Sequence, residues 1–321
     1  MKKIINRGRA VITLFALLLS AKMHSQFDAM FTQYMFNETF INPAYAGSKE
    51  AMSATLLHRQ QWVNFPGRPI TTSFSVHGPL LDNKMGLGLS VLSEKIGPLN
   101  RNLVYGNYAY RLKVHEEGTL AFGLMGGLDN QIHRFSELKV SDDPGAINDP
   151  HFQQNTPNVV AANFGTGIYY NTKTFYAGLS VPRLLDNDVK FNYNGTKTVK
   201  VTSMKASRFT YYLTLGNVFT VNEELKLRGT AMVKAVRGAP AQADLSAVAI
   251  INDMIWTGLS YRTNSSLALI LGMQVNKQFF ACYSYDYGLN KIQRYSQGTH
   301  EIVLNYLFSY KGRQIITPRY F

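Results

Sequence analysis

The side chains able to do chemistry are few in this chain and poorly arranged for it. Asp142, Asp143 and Asp149, with Asn148 among them, offer oxygens to a hard cation, but they lack the glycine and glutamate spacing of an EF-hand and read as a solvated turn. The seven histidines are scattered: His58 and His77 in strand-like runs, His115 in a short turn, His133, His151 and His300 near loops, His24 in the N-terminal leader. None forms an HExxH pair, so no metal is expected. Cys282, the single cysteine, reads as a small inward-facing residue beside Ser284, and excludes a disulfide scaffold or a cysteine-built metal site. Gly86, Gly88, Gly123, Gly126 and Gly127 are followed by no helical pattern, so they are not phosphate loops but positions where bulk must be avoided. Lys226, Arg228 and Lys234 share one face and either pair with Asp244 and Glu94 or line an anion-attracting path. No catalytic residue and no cofactor emerge from these residues.

The elements that hold them are strands. The chain has 321 residues, 12% aromatic, with 17% charged against a soluble average of about 25%. Mean hydropathy is −0.12, which excludes a helical membrane protein. Lys2, Lys3, Arg7 and Arg9 precede the apolar run Ala10 to Ala21. That run is too short to span ~30 Å of hydrocarbon, so residues 1–25 read as a secretory signal cleaved near Ser25. Met23 is larger than such a site prefers, and an uncleaved amphipathic helix is the alternative. Removing this segment takes five basic residues with it and leaves 28 against 20 acidic, a charge of +8. No basic-aromatic patch gathers on one face, so nucleic acid is not the partner.

Beyond the leader the pattern has period two. Leu87, Leu89 and Val91 alternate with Gly86, Gly88 and Ser90; Leu267, Leu269, Leu271, Met273 and Val275 alternate with Ala268, Gly272 and Gln274. One fully apolar face against a small or polar one is the signature of a wall between lipid and a lumen. Strands are predicted at 52–62, 70–78, 85–95, 102–112, 119–130, 159–171, 174–181, 208–221, 224–236, 240–250, 253–263, 266–276, 278–288 and 299–310. The expected fold is therefore all-β, a transmembrane antiparallel outer-membrane β-barrel of about fourteen strands over 51–321. Short links such as Asn222-Glu223 and Asn252-Asp253 follow even-numbered strands, and the long links 131–158, 182–207 and 289–298 follow odd ones. Short periplasmic turns, long outer loops and both ends inside are the asymmetry such barrels show. Residues 26–50 do not alternate, and suit either an N-terminal plug or an extended lead-in to the first strand.

Three stretches are more specific. Phe31-Thr32-Gln33-Tyr34-Met35-Phe36-Asn37, then Ile41-Asn42-Pro43-Ala44-Tyr45-Ala46-Gly47-Ser48, then Arg59-Gln60-Gln61-Trp62-Val63 resemble the signature of the PorP/SprF family. Further matches are Pro69-Ile70-Thr71-Thr72, Met85-Gly86-Leu87-Gly88-Leu89, Asp149-Pro150-His151-Phe152, Gly167-Ile168-Tyr169-Tyr170 and Pro318-Arg319-Tyr320-Phe321. The family comprises membrane proteins of the type IX secretion system and gliding motility of the Bacteroidetes. The resemblance implies a non-enzymatic barrel of the cell outer membrane that docks, helps export or retains large secreted surface proteins. The partners it implies are an exported, adhesin-like cargo and periplasmic secretion-machinery proteins. No family contact residues carry over beyond the signature positions Phe31, Gln33, Tyr34, Asn42, Pro43, Tyr45 and Gly47.

Two functional classes follow. The first is docking, with the outer loops holding the exported protein; its candidate contacts are Trp62, Phe65 and Pro66 at the first outer turn, where Trp62 serves equally well in an interfacial aromatic girdle. The second is a transport barrel like the long-chain fatty-acid channels, admitting hydrophobic small molecules. A sealed lumen favours the first and a continuous apolar tunnel the second.

Overall fold

A computed structural model of the chain describes residues 29–137, 155–191, 198–237 and 239–308. The strands are β1 Met52–Gln60, β2 Ile70–Leu80, β3 Met85–Ile96, β4 Leu99–Lys113, β5 Thr119–His133, β6 Val159–Asn171, β7 Phe175–Val181 and β8 Asp186–Phe191. They continue with β9 Thr198–Ser203, β10 Thr210–Thr220, β11 Leu225–Val236, β12 Gln242–Ile251, β13 Ile255–Arg262, β14 Ser266–Gln274, β15 Phe279–Gly288 and β16 Thr299–Phe308. Fourteen of them close an antiparallel barrel in which each pairs with its chain neighbour, β7 pairs with β10, and β1 pairs with β16. Closure gives each of the fourteen a hydrogen-bonded neighbour on both sides, as a wall in lipid requires. The pair β8–β9 is a separate two-stranded sheet within the connection from β7 to β10, which the sequence pattern had as loop.

The alternation sorts the side chains as expected. Leu124 is 62% exposed and Leu269 44%, on the outer face, while Met125 is 4% exposed on the inner one. A continuous belt of exposed Leu, Val, Ile, Phe and Tyr around a closed sheet is incompatible with water and suits hydrocarbon. Among the described residues no helix is long and apolar enough to cross a membrane.

The connections divide between the two ends. At one end lie 81–84, 114–118, 172–174, 221–224, 252–254 and 275–278. These are tight turns: Asn252 and Asp253 both have φ 53°, the left-handed pair that matches hairpin twist. At the other end lie 61–69, 134–158, 182–209 and 289–298, together with the shorter 97–98, 237–241 and 263–265. The long links all share one end, but links at that end are not all long. β4 also starts three residues before the predicted position, because Gly97, at φ 54°, turns the chain in two residues. The proposed leader 1–25, the aspartates Asp142, Asp143 and Asp149, and the final Pro318 to Phe321 lie outside the described residues.

Candidate functional site

The segment preceding β1 does not run along the wall; it is packed inside the barrel. Three one-turn 3-10 helices, Tyr34–Phe36, Glu38–Phe40 and Pro43–Tyr45, carry it. Local chemistry favours such turns over a strand: Asn42 Oδ1 accepts from the Ala44 N–H at 3.0 Å, and Pro43 follows as first residue of the helix. Gly47, at φ 78°, then turns the chain toward β1.

At the loop end the segment is clamped by ionised groups. The Thr32 and Gln33 N–H groups donate to the Glu301 carboxylate at 2.9 and 2.7 Å. Arg59 donates to Glu301 and to Asp286, both at 2.8 Å, and Thr32 Oγ1 donates to Asp286 at 2.6 Å. Gln33 reaches Ser284 at 3.2 Å, and Arg262 donates to the Phe31 carbonyl at 2.8 Å. Arg59 is 2% exposed and Glu301 0%. Buried charges of this kind are tolerable only when paired and hydrogen-bonded. The N–H groups of Thr32 and Gln33 supply two of the bonds that Glu301 accepts, while Arg59 Nε and Asp286 Oδ1 stay without a partner among the described residues.

Midway, Phe36 packs on Trp256 and Phe280, and the Arg228 guanidinium lies 5.4 Å from the Phe36 ring centre and 5.6 Å from that of Trp256. Asn37 donates to Ser73 on β2 at 3.0 Å. Glu38 is fully buried, and burial pushes its carboxyl up to about 8 against the lowering influence of the Tyr176 and Tyr169 hydroxyls and of Arg228.

At the turn end, Asn42 to Gly47 crosses a trench of small residues. Gly86, Ala109, Gly123, Gly167 and Ser180 lie side by side on β3, β4, β5, β6 and β7, all on the inner face. The backbone rests in this trench so closely that a methyl group on Gly86 would overlap the Ala46 carbonyl, and one on Gly167 the Asn42 amide. Ser180 Oγ donates to the Ile41 carbonyl at 2.6 Å, Asn42 Nδ2 donates to the Ile168 carbonyl at 2.9 Å, and the Gly47 N–H donates to His77 Nδ1 at 3.1 Å. Tyr45 stands edge-on to Tyr169, ring centres 5.4 Å apart.

The first link at the loop end is rigid. Trp62 has φ 51° and Asn64 φ 70°, left-handed conformations that are costly for a bulky residue such as tryptophan. The Val63 N–H donates to the Gly298 carbonyl and the Gln297 N–H to the Val63 carbonyl, both at 2.9 Å, so the link is stitched to the one before β16. Trp62 and Phe65 pack edge-on at 6.3 Å, both half-buried, with Pro66 exposed beside them.

A family model described as the type IX secretion system membrane protein PorP/SprF matches residues 23–306. The chain belongs to the PorP/SprF family. No curated protein matches it in sequence. A FadL homologue of Pseudomonas aeruginosa is similar in structure, with TM-score 0.50 and 11% identity over 85% of this chain and 94% of that one. The Ralstonia pickettii toluene transporter TbuX gives TM-score 0.46 and 11% identity over 84% and 92%. The P. putida toluene transporter TodX gives 0.45 and 8% over 85% and 94%. The first likeness shows a shared barrel fold. With the fold, family membership makes the chain a secretion-related outer-membrane barrel.

Of the PorP/SprF signature positions, Phe31, Gln33, Tyr34, Asn42, Pro43, Tyr45 and Gly47 all come together in the lumen. Trp62, Phe65 and Pro66 lie apart from them at the loop end. The cationic stripe takes partners that spacing alone did not identify: Lys226 donates to Asp253 at 2.6 Å, while Asp244 accepts from Arg262 at 2.9 Å and Glu94 accepts from Thr71 at 3.4 Å. Sequence reasoning assigned no role to Glu38, Asp286 or Glu301. Their signal is an acidic residue on the inner face of an apolar strand or inside an aromatic run, where solvation cannot be the reason for it.

Proposed function

We propose that this barrel is a docking module: its loop end faces outside and holds a large exported surface protein, while its turn end faces periplasmic components of the secretion machinery. Residues 26–50 act in this reading as a plug, after removal of a signal at 1–25. The observation that carries the reading is the filled lumen. Residues 31–49 are bonded to β1, β2, β6, β7, β15 and β16, on opposite sides of the wall, by mostly buried contacts. A barrel filled in this way serves poorly as a conduit, and its accessible surface is what remains to do the work. The rigid tip of Trp62, Phe65 and Pro66 supplies aromatic contact area at little entropic cost, the usual make-up of a binding anchor. The role carries no catalytic step, and the cargo is retained at the surface of a gliding, type IX-secreting cell. Affinity purification from outer membrane in mild detergent tests it. An exported surface protein that co-purifies with the wild type, and is lost when 61–69 is replaced, supports docking. A barrel that purifies without one contradicts it.

A further inference from the structure

The wall by itself returns both of its ends to one side: Met52, at the start of β1, pairs with Phe308, at the end of β16, and both lie at the turn end. The luminal segment moves the start of the chain to the other side, because it runs through the barrel in the opposite sense to β1.

Its direction is fixed by wall residues of known height. At the turn end, Gly47 donates to His77 near the close of β2, and Lys49 Nζ donates to Asn305 Oδ1 at 3.5 Å near the close of β16. At the loop end, Thr32 and Gln33 donate to Glu301 near the start of β16, and the Phe31 carbonyl accepts from Arg262, the last residue of β13. Ala29 and Met30 line the same hollow as Pro182, just beyond β7, and Gln242, the first residue of β12. The chain therefore enters the lumen among the loops, descends to the turn end at Gly47, and climbs back as β1.

A start near Gln26 stays on the loop side. Three further residues reach at most about 11 Å, whereas the apolar band of such a barrel is about 25 Å tall. The same few residues of β1 and β16 hold both the segment's start and the Trp62 tip. The Trp62 N–H donates to Thr299 Oγ1 at 3.1 Å, and Glu301, on the same strand, accepts from the segment. Arg59, just before the tip, donates to Thr32 Oγ1 at 2.8 Å.

We infer that the chain, cut near Ser25, begins on the loop side and presents its first residues beside the Trp62 tip, where they form part of the surface that takes the exported protein. The position of the start rests on the geometry of the lumen alone. Its use as a contact rests on the docking reading.

The test is a short hydrophilic epitope inserted between Phe27 and Asp28, probed with antibody on intact and on permeabilised cells. Phe65→Cys marks the loop end through a membrane-impermeant maleimide, since the single native cysteine, Cys282, is 3% exposed. The same epitope between Asn222 and Glu223 marks the turn end. The Phe27 epitope should react on intact cells together with Phe65→Cys, and the Asn222 epitope only after permeabilisation. Exposure of the Asn222 epitope and protection of Phe65→Cys would reverse the docking orientation, and the Phe27 epitope should then be protected with Phe65→Cys. A Phe27 epitope that follows the Asn222 epitope in either case, or reacts only after heat denaturation, overturns the inference. Recovery of the exported protein with the purified barrel should fall severalfold with the Phe27 epitope and hold with the Asn222 one; unchanged recovery overturns the contact. Heat-modifiable mobility on gels shows that the barrel has assembled, and Ala29→Cys with the same maleimide replaces the epitope if insertion prevents assembly.

Discussion

The Ala44 nitrogen occupies the space a side chain would take on Gly123, so that a methyl group there would overlap it. Glycine on β5 and the backbone of the luminal segment are therefore one structural unit. Gly123→Val should expel the segment from its trench while leaving the wall hydrogen bonds intact. Limited proteolysis should then cut between residues 31 and 49 in the variant and not in the wild type. Gly229→Ala, whose added methyl meets open space, should behave as wild type.

The clamp at the loop end should be intolerant of half-removal. Arg59→Met leaves Glu301 and Asp286 buried beside one another without their guanidinium. Removing one partner of a buried ion pair costs about 3–5 kcal/mol. The temperature at which the folded band disappears on gels should drop clearly, and outer-membrane levels should fall with it.

Glu38 gives the fold a pH dependence of definite sign. Its carboxyl is raised by burial from its ordinary 4.5 to about 8. Between those values the unfolded chain releases the proton while the folded one keeps it, so stability falls as pH rises through that window and levels off above it. The thermal midpoint in detergent should decline from about pH 5 to about pH 8, and Glu38→Gln should flatten that decline.

The outer face should reject charge by depth. Leu269→Arg places a cation in mid-wall toward lipid, at about 2–4 kcal/mol. Gln274→Arg points inward near a turn. Outer-membrane levels should fall in the first variant and hold in the second; equal effects would reverse the assignment of faces.

The wall was legible because each strand states its own orientation: Leu267, Leu269, Leu271 and Met273 alternate with Ala268, Ile270 and Gly272, and a period of two needs no distant partner. The β8–β9 pair lacked that contrast, since Asp186-Asn187-Asp188 opens it with no apolar face. The lumen was legible only as a list of residues. Gly86 and Gly123 read as places to avoid bulk, but what they make room for, the backbone at Ala46 and at Ala44, lies 40 and 79 residues earlier in the chain. Arg59 and Glu301 are separated by 242 positions, and only closure of β1 on β16 brings them together. Such pairings depend on the register of the whole ring, which no local pattern encodes.

The docking reading is tested most directly by photo-crosslinking in intact cells. A benzophenone amino acid placed at Phe65, on the stitched loop-end tip, should yield a covalent adduct with an exported surface protein. The same group at Val221, in a turn at the opposite end, should not. Adducts at Val221 and none at Phe65, with both variants folded and present in the outer membrane, would contradict it.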